Sequence, residues 1–163
     1  ADNHNTIDIV LSLNGIPVVA LELKNQLTGQ SVSNAKHQWM YDRDPKELCF
    51  RFNQRFLVYF CVDLYEVAMA TELKGDKTFF LPFNQGSNGA GNIGDGGNPA
   101  CTEGYATAYL WEHVLSPDML LSILQRYISK QEEETIVLEN GVKRKKKSVK
   151  QLNHLVKNID RQK

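Results

Sequence analysis

The sequence predicts an α/β fold, with a mixed sheet flanked by helices on both faces and a helical extension on its C-terminal side. The apolar segments on either side of Asn14-Gly15 indicate a β-hairpin, because Asn-Gly is a strong signal for a tight turn between strands. A continuous apolar run at residues 56–62 is typical of a strand buried on both faces. Between these elements, residues 32–42 change to a helical pattern. This order of elements favours the α/β class.

The hairpin strands are predicted at residues 6–13 and 17–24, where Pro17 is tolerable as the first residue of the second strand. Asp44-Pro45 ends the helix that follows, because the residue before a proline disfavours helical backbone. A second, short helix is predicted at residues 46–52.

The later strands are predicted around a tight turn at Asp63-Leu64. The strand at residues 56–62 is expected to pair with residues 65–72, and a brief strand is expected at residues 78–81. Residues 84–104 carry seven glycines and predict a long irregular loop, which is usually functional or disordered. These glycines lack the spacing of a P-loop and no Lys-Ser/Thr pair follows them, which excludes phosphate cradling.

The C-terminal part combines an amphipathic helix with a charged segment. Residues 117–131 predict the helix, with Ser116 at its N-cap. A basic run at residues 143–147 suits contacts with DNA phosphates or a solvated linker, and we favour the linker. Residues 136–147 suit a hairpin or a flexible connection. The predicted organisation is a core at residues 1–82, a glycine-rich loop and helical extension of the same domain at residues 83–131, and a charged linker at residues 132–163.

Composition limits the class of protein. The chain has 163 residues, 42% of them hydrophobic, which suits one ordinary globular domain. The formal net charge is zero, so any nucleic-acid contact depends on local patches or partner domains. Cys49, Cys61 and Cys101 show no CxxC spacing, which argues against a disulfide framework or zinc site and fits a reducing cytoplasm. No apolar run approaches a membrane span. The first residue is not Met, so we expect a piece of a longer protein.

The apolar pattern of the hairpin predicts which side chains share a face. The apolar residues of both strands are largely odd-numbered: Ile7, Ile9, Leu11, Leu13, Val19, Leu21 and Leu23. Opposite residues of antiparallel strands share a face, so these residues stay together only if paired residue numbers have an even sum. A three-residue loop of residues 13–15, with Gly15 in the left-handed region, or a bulge there provides this register. Asp8 is then expected across from Ala20.

The opposite face of this hairpin gathers Asp8, Glu22 and Lys24. Two close carboxylates repel each other, and a shared cation best explains such a pair. Oxygen ligands suit Mg²⁺, which keeps several of its waters, and the backbone carbonyl of Leu23 is a further candidate ligand. Lys24 is a candidate for positioning or deprotonating a water, or for stabilising developing charge. The alternative is a solvated Glu-x-Lys pair, which the charges' position within apolar strands disfavours.

The segment IDIVLSLNGIPVVALELKN, residues 7–25, resembles the nuclease motif in the restriction (R, or motor) subunit of type I restriction-modification enzymes. That motif belongs to a PD-(D/E)xK endonuclease domain. The resemblance covers about residues 6–131 and continues through PKELCFRFNQ, FLVYFCVDLYEVAMAT, LPFNQGSNGAGN and GYATAYLWEHVLSPDMLLSILQRYI. The AYLWE segment is more specific to the family than the catalytic triad, which many nucleases share.

The resemblance implies that Asp8 and Glu22 hold the metal and that Lys24 is catalytic. The family often has a Gln-x-x-x-Tyr pair on the following helix. Here Tyr41 matches the Tyr, whereas His37 stands at the Gln position with Gln38 beside it. We expect either His37 or Gln38 to face the site; the alternative is that His37 is a surface residue.

The resemblance also implies an activity and partners. It implies a cytoplasmic, Mg²⁺-dependent endonuclease that cleaves double-stranded DNA as the cleavage domain of an R subunit, alongside methyltransferase and specificity subunits. ATP binding and translocation would reside in helicase domains of the full-length protein, toward which residues 132–163 would lead. No Walker motif is present in this sequence.

Two other interpretations remain open. In the first, the fold is kept as a non-catalytic interaction module, which the complete set of Asp8, Glu22 and Lys24 disfavours. In the second, the chain belongs to another nuclease such as a repair exonuclease, which the AYLWE segment disfavours. Trp39 and Tyr41 suit base stacking, but aromatic residues of helices more often belong to a core.

Overall fold

The computed structural model describes the backbone of residues 5–52, 54–126, 130–139 and 142–151, and the side chains of residues 5–52 and 54–126. The chain divides into two compact units, residues 1–109 and residues 110–163.

The first unit contains a five-stranded mixed sheet, as the sequence predicts. Its strands, in spatial order, are β1 (Ile9–Leu13), β2 (Ile16–Leu23), β3 (Val58–Val62), β4 (Val67–Ala70) and β5 (Leu81–Pro82). β2 and β3 run parallel, and the other neighbouring pairs are antiparallel. The crossover from β2 to β3 contains a 3-10 turn (Gln26–Thr28) and helix α1 (Val32–Tyr41). Parallel strands need such a crossover, and this one places α1 over one face of the sheet.

The core between α1 and the sheet is built around Trp39. Trp39 is fully buried, and its indole N–H donates to the carbonyl of Phe60 over 3.2 Å. Its ring contacts Tyr59 edge-on, with the ring centroids 5.2 Å apart. A buried indole of this size dominates local packing, so Trp39 belongs to the core, whereas Tyr41 is exposed.

Three predicted elements of the first unit differ most from the structure. The helix expected at residues 46–52 is absent; the segment forms turns, because Phe50 is drawn into the core against Trp39 and Phe56 and tertiary packing overrides helix propensity. The strand expected at residues 65–72 is confined to Val67–Ala70, and the one expected at residues 78–81 is Leu81–Pro82.

Side-chain hydrogen bonds explain the shifted strand ends. The backbone N–H groups of Tyr65 and Glu66 donate to the Asp63 carboxylate over 2.9 and 2.8 Å, which makes them part of a turn. The Thr78 hydroxyl accepts from the N–H of Lys74 over 2.9 Å and donates to the carbonyl of Gly75 over 2.7 Å, which keeps Thr78 in the preceding turn.

The glycine-rich segment at residues 84–104 is the predicted irregular loop, without helix or strand among these residues. Asparagine side chains attach it to the unit. The N–H of Val67 donates to Asn84 Oδ1 over 2.8 Å, and Asn98 Nδ2 donates to the carbonyl of Tyr65 over 2.8 Å.

The second unit contains a π-helical turn (Leu110–Val114), helix α2 (Pro117–Arg126) and an antiparallel pair, β6 (Lys130–Glu139) and β7 (Val142–Gln151). The helix predicted through residue 131 is therefore too long, since residues 130 and 131 lie in β6. The hairpin alternative for residues 136–147 agrees with the strand pair. The end of the predicted linker, residues 152–163, lies outside the described residues. Within the described part of the chain, helices long and apolar enough to cross a membrane are absent.

Candidate active site

The site is built on the β1–β2 hairpin, whose turn has two residues. Leu13 pairs with Ile16, and Asn14 and Gly15 both have positive φ, at 51° and 80°. Positive φ at both positions is typical of a type I′ turn, which Asn-Gly favours. The three-residue loop predicted from the apolar pattern is therefore wrong.

The predicted even register is nevertheless present beyond the turn. Ser12 pairs with Pro17, whereas Leu11 pairs with Val19, so Val18 is the extra residue of a β-bulge. From Leu11 outward the paired residue numbers have an even sum. The bulge thus reconciles a two-residue turn with the register that the apolar residues demand.

The bulge changes the residue that lies across from Asp8. Ile9 pairs with Leu21 and Val10 with Ala20, so the register continued by one residue places Asp8 opposite Glu22. The expectation that Asp8 faces Ala20 is wrong by two residues, because the bulge shifts the strands further than the expected loop would. Asp8 is brought closer to Glu22 than predicted.

Asp8 is exposed and lies at the start of β1, an edge strand. Its Oδ2 accepts a hydrogen bond from the backbone N–H of Leu23 over 2.8 Å. The N–H and C=O of one residue in an extended strand point to the same side, so the Leu23 carbonyl also points toward β1.

The odd-numbered apolar face of the hairpin is buried only in part: Val19 and Leu21 are buried, whereas Ile9 and Leu23 are exposed.

Glu22 is fully buried near the end of β2. Its Oε1 accepts a hydrogen bond from Arg43 over 2.7 Å, while its Oε2 has no hydrogen-bond partner in the described structure. Burial raises the pKa of Glu22 from 4.5 to about 7; the hydrogen bond from Arg43 opposes this, and the charge of Asp8 adds to it. A buried, unpartnered carboxylate oxygen is costly unless a cation or a proton satisfies it.

Lys24 directly follows β2, where its backbone N–H donates to the carbonyl of Val62 over 2.8 Å. Its Nζ lies 3.9 Å from Glu22 Oε2. Cys61 pairs with Glu22 in the parallel register, and burial raises the pKa of its thiol to about 12. The thiol is therefore a neutral neighbour of the site at ordinary pH.

Arg43 is a site residue that the sequence analysis missed. It is buried, and one terminal nitrogen, Nη2, donates both to Glu22 Oε1 and to the carbonyl of Thr6, over 2.7 and 2.6 Å. A signal was present in the helical spacing: Arg43 follows the buried Trp39 by four residues and so continues the apolar face of α1 beyond its last turn. A buried arginine needs a partner, but the sequence pattern alone does not show which residue that partner is.

The accessory residues lie elsewhere on α1. His37 and Tyr41 are exposed, and their rings contact each other with centroids 4.5 Å apart. Gln38 is half-buried. Hydrogen bonds and electrostatic interactions connect Asp8, Glu22 and Lys24 through residues 22–24, whereas a role of His37, Gln38 or Tyr41 at the site stays a prediction.

The chain contains a second copy of the same tripeptide, which shows what the spacing alone means. Glu22-Leu23-Lys24 and Glu72-Leu73-Lys74 are both ELK. The second pair is a surface ion pair, with side chains 31% and 57% exposed and 2.7 Å between the charged atoms. In the first pair the exposed fractions are 0% for Glu22 and 11% for Lys24. Burial and the nearby Asp8 separate the candidate site from an ordinary strand-end pair.

The donor set fits a hard divalent cation. Clusters of three or more His, Cys, Asp or Glu side chains suited to a metal are absent from the described part of the chain. Mg²⁺ needs fewer, because it usually keeps several waters and uses one or two carboxylates. Asp8 and Glu22 provide the two carboxylates, and Glu22 Oε2 is the buried oxygen without a partner.

Comparison with known proteins gives one family match. Residues 1–78 match the model of the family described as Type I restriction enzyme R protein N terminus. The matched residues include Asp8, Glu22, Lys24 and Arg43. Neither a curated protein nor a solved structure matches the chain.

Proposed function

Residues 1–78 match the family of type I restriction enzyme R protein N termini, and from this premise we propose that the chain belongs to it and is the DNA-cleaving part of an R subunit. The proposed reaction is Mg²⁺-dependent hydrolysis of phosphodiester bonds in double-stranded DNA. The observation that carries the proposal is the placement of Asp8 beside the buried Glu22, whose Oε2 has no hydrogen-bond partner among the described residues and lies 3.9 Å from Lys24 Nζ.

The acid pair supports a metal-binding role. The raised pKa of Glu22 shows that its ionised form is costly, first because the side chain is buried and also because the charge of Asp8 is nearby. A divalent cation bound by Asp8, Glu22 Oε2 and the Leu23 carbonyl would offset that cost. When bound, Mg²⁺ would polarise the scissile phosphate and lower the pKa of a water.

Lys24 supplies the cationic group of the proposed mechanism. Its backbone is held by β3 through Val62, and its side chain is largely buried with the ammonium near Glu22 Oε2. A fixed ammonium beside the acid pair is placed to orient the attacking water and to stabilise the charge that develops on the phosphate. The strands that carry these groups belong to a mixed α/β sheet, which is compatible with a PD-(D/E)xK core.

The proposed partners follow from the family. The R subunit would act with methyltransferase and specificity subunits, and ATP-driven translocation would reside in other domains of the full-length protein. The competing interpretation is a non-catalytic module in which Glu22 serves only as the structural partner of Arg43.

Plasmid cleavage by a restriction complex that contains this chain separates the two interpretations. Lys24→Ala is expected to reduce Mg²⁺-dependent cleavage by about 100-fold or more, because it removes a charge that acts in the transition state. Lys74→Ala, the same change in the exposed ELK segment, is the matched control and should cleave as the wild type does. ATP hydrolysis measured in parallel reports that each complex has assembled. Wild-type cleavage by an assembled Lys24→Ala complex would exclude the proposed role.

A further inference from the structure

Arg43 connects the two strands that carry the acidic residues. Its Nη2 donates over 2.6 Å to the carbonyl of Thr6, two residues before Asp8, and over 2.7 Å to Oε1 of Glu22 on β2. One guanidinium nitrogen with two hydrogens thus holds the backbone of the segment that leads into β1 and a side chain of β2.

The guanidinium group is itself held in place. Its Nη1 donates to the carbonyl of Asp42 over 3.3 Å, and its central carbon lies 5.7 Å from the ring centroid of the buried Trp39. A guanidinium that lies over an aromatic ring and donates hydrogen bonds from both terminal nitrogens loses little freedom when it binds a carboxylate. Arg43 is therefore a rigid connection between α1 and the hairpin.

The hydrogen bond from Arg43 also distinguishes the two oxygens of Glu22. Oε1 is occupied by Arg43, so the carboxylate cannot rotate freely, and Oε2 remains buried without a hydrogen-bond partner in the described part of the chain. A carboxylate held in this way presents one oxygen, in one orientation, toward Asp8.

We propose that Arg43 is a positioning residue that sets the spacing of Asp8 and Glu22 for a divalent cation, by holding the Thr6 carbonyl just before β1 and Glu22 Oε1 on β2. This inference rests on the proposed function, since it assigns Arg43 a role in the metal site of the nuclease. Residues that orient metal ligands from outside the coordination shell affect metal affinity through the ligands they hold.

The test is a Mn²⁺ titration of the full chain, followed by the electron paramagnetic resonance signal of free Mn²⁺. Arg43→Ala is expected to weaken Mn²⁺ binding by about 10- to 100-fold. Arg43→Lys keeps a cation but is shorter and lacks the planar contact with Trp39, so its affinity should lie between the two. Millimolar guanidinium added to Arg43→Ala should restore part of the affinity, which a merely structural role would not produce.

Two further variants make the result decisive. Arg51→Ala removes an exposed arginine that also holds a backbone carbonyl, that of Lys46 over 2.8 Å, and should bind Mn²⁺ like the wild type. Glu22→Gln tests the metal site itself. Wild-type affinity in Glu22→Gln would overturn the proposed function, whereas loss in Glu22→Gln with wild-type affinity in a folded Arg43→Ala would overturn only the role of Arg43. If Arg43→Ala does not fold, Arg43→Met, which keeps the stem on Trp39, replaces it under the same criteria.

Discussion

The Asp8 carboxylate accepts a hydrogen bond over 2.8 Å from the backbone N–H of Leu23, the residue between Glu22 and Lys24. This bond ties the acid at the start of β1 to the segment that carries the other two candidate groups. Because β2 alternates between its neighbours, Leu23 faces β1, whereas the N–H of Lys24 bonds to Val62 of β3. The hairpin edge therefore gathers two carboxylates and, by the same alternation, the Leu23 carbonyl.

Replacement of Asp8 should separate metal binding from folding. Asp8→Asn removes a charge from an exposed side chain, so we expect little change in the free energy of unfolding. The same variant should weaken Mn²⁺ affinity by more than about tenfold, since it removes a proposed ligand. Isothermal titration calorimetry measures the affinity, with Asp76→Asn, another exposed aspartate, as the control. Equal affinities of the two variants would contradict the role of Asp8.

The stability of the metal-free protein should depend on pH through Glu22. Its pKa in the folded protein is about 7, above the ordinary value of 4.5, so the unfolded state releases this proton first. The contribution of the neutral acid to stability is fully present below pH 4.5 and is lost as the pH rises through 7. Each unit of pKa difference corresponds to about 1.4 kcal/mol, which gives a loss of about 3 kcal/mol.

Chemical denaturation in the presence of a chelator, from pH 4.5 to pH 8, measures this loss. Glu22→Gln is the matched control, because its amide is neutral throughout and can still accept from Arg43. As the pH rises, the unfolding free energy of the wild type should fall relative to that of Glu22→Gln. Excess Mn²⁺ should reduce this change, because a cation stabilises the ionised form. A difference that stays constant across the range is the result that this account does not allow.

The shared face of the hairpin was predictable, but the position of the bulge was not. The alternation of apolar residues in β1 and β2 requires paired residue numbers with an even sum, whereas Asn14-Gly15 favours a two-residue turn. Both requirements are visible in the sequence, but they conflict. Only the backbone pairing shows that a β-bulge at Val18 satisfies both. The residue predicted to face Asp8, Ala20, is therefore two residues away from Glu22, which the observed register places there.

Long-range partners account for the remaining differences. Arg43 binds Glu22 across 21 residues, so its role depends on tertiary structure rather than on local pattern. Similarly, the Asp63 side chain accepts hydrogen bonds from the first two N–H groups of the strand predicted at residues 65–72. β4 therefore begins later than predicted. The continuous apolar run that became β3 needed no such partner, and its type was predicted from composition alone.

Asp63 should be important for stability. Its carboxylate accepts from the backbone N–H groups of Val32, Tyr65 and Glu66, and from the side chain of Gln26. Asp63→Ala would leave these buried or half-buried donors without an acceptor, at a cost of about 2–4 kcal/mol. Thermal unfolding measures the effect, with the exposed Asp76→Ala as the control. A shift in Tm no larger than that of the control would show that other groups satisfy these donors.

The turn of the hairpin should depend on glycine at position 15. Gly15 has a φ of +80° with open space where a Cβ would lie, so any cost of Gly15→Ala comes from the backbone. We expect a loss of about 1 kcal/mol in unfolding free energy. Gly96→Ala is the control, because Gly96 also has open space but lacks a positive φ. Urea denaturation that ranks the two variants in the opposite order would contradict the two-residue turn.

The most direct test of the central claim is the position of Mn²⁺ in crystals of the chain, located by anomalous diffraction. We expect one peak that contacts Asp8 and Glu22 Oε2 at about 2.0–2.6 Å, with waters filling most other positions. The peak should be absent from crystals of Glu22→Gln and retained in Glu72→Gln, the same change in the exposed ELK segment. Mn²⁺ bound elsewhere, with Asp8 and Glu22 uncoordinated at saturating metal, would contradict the assignment of this pair as the metal site.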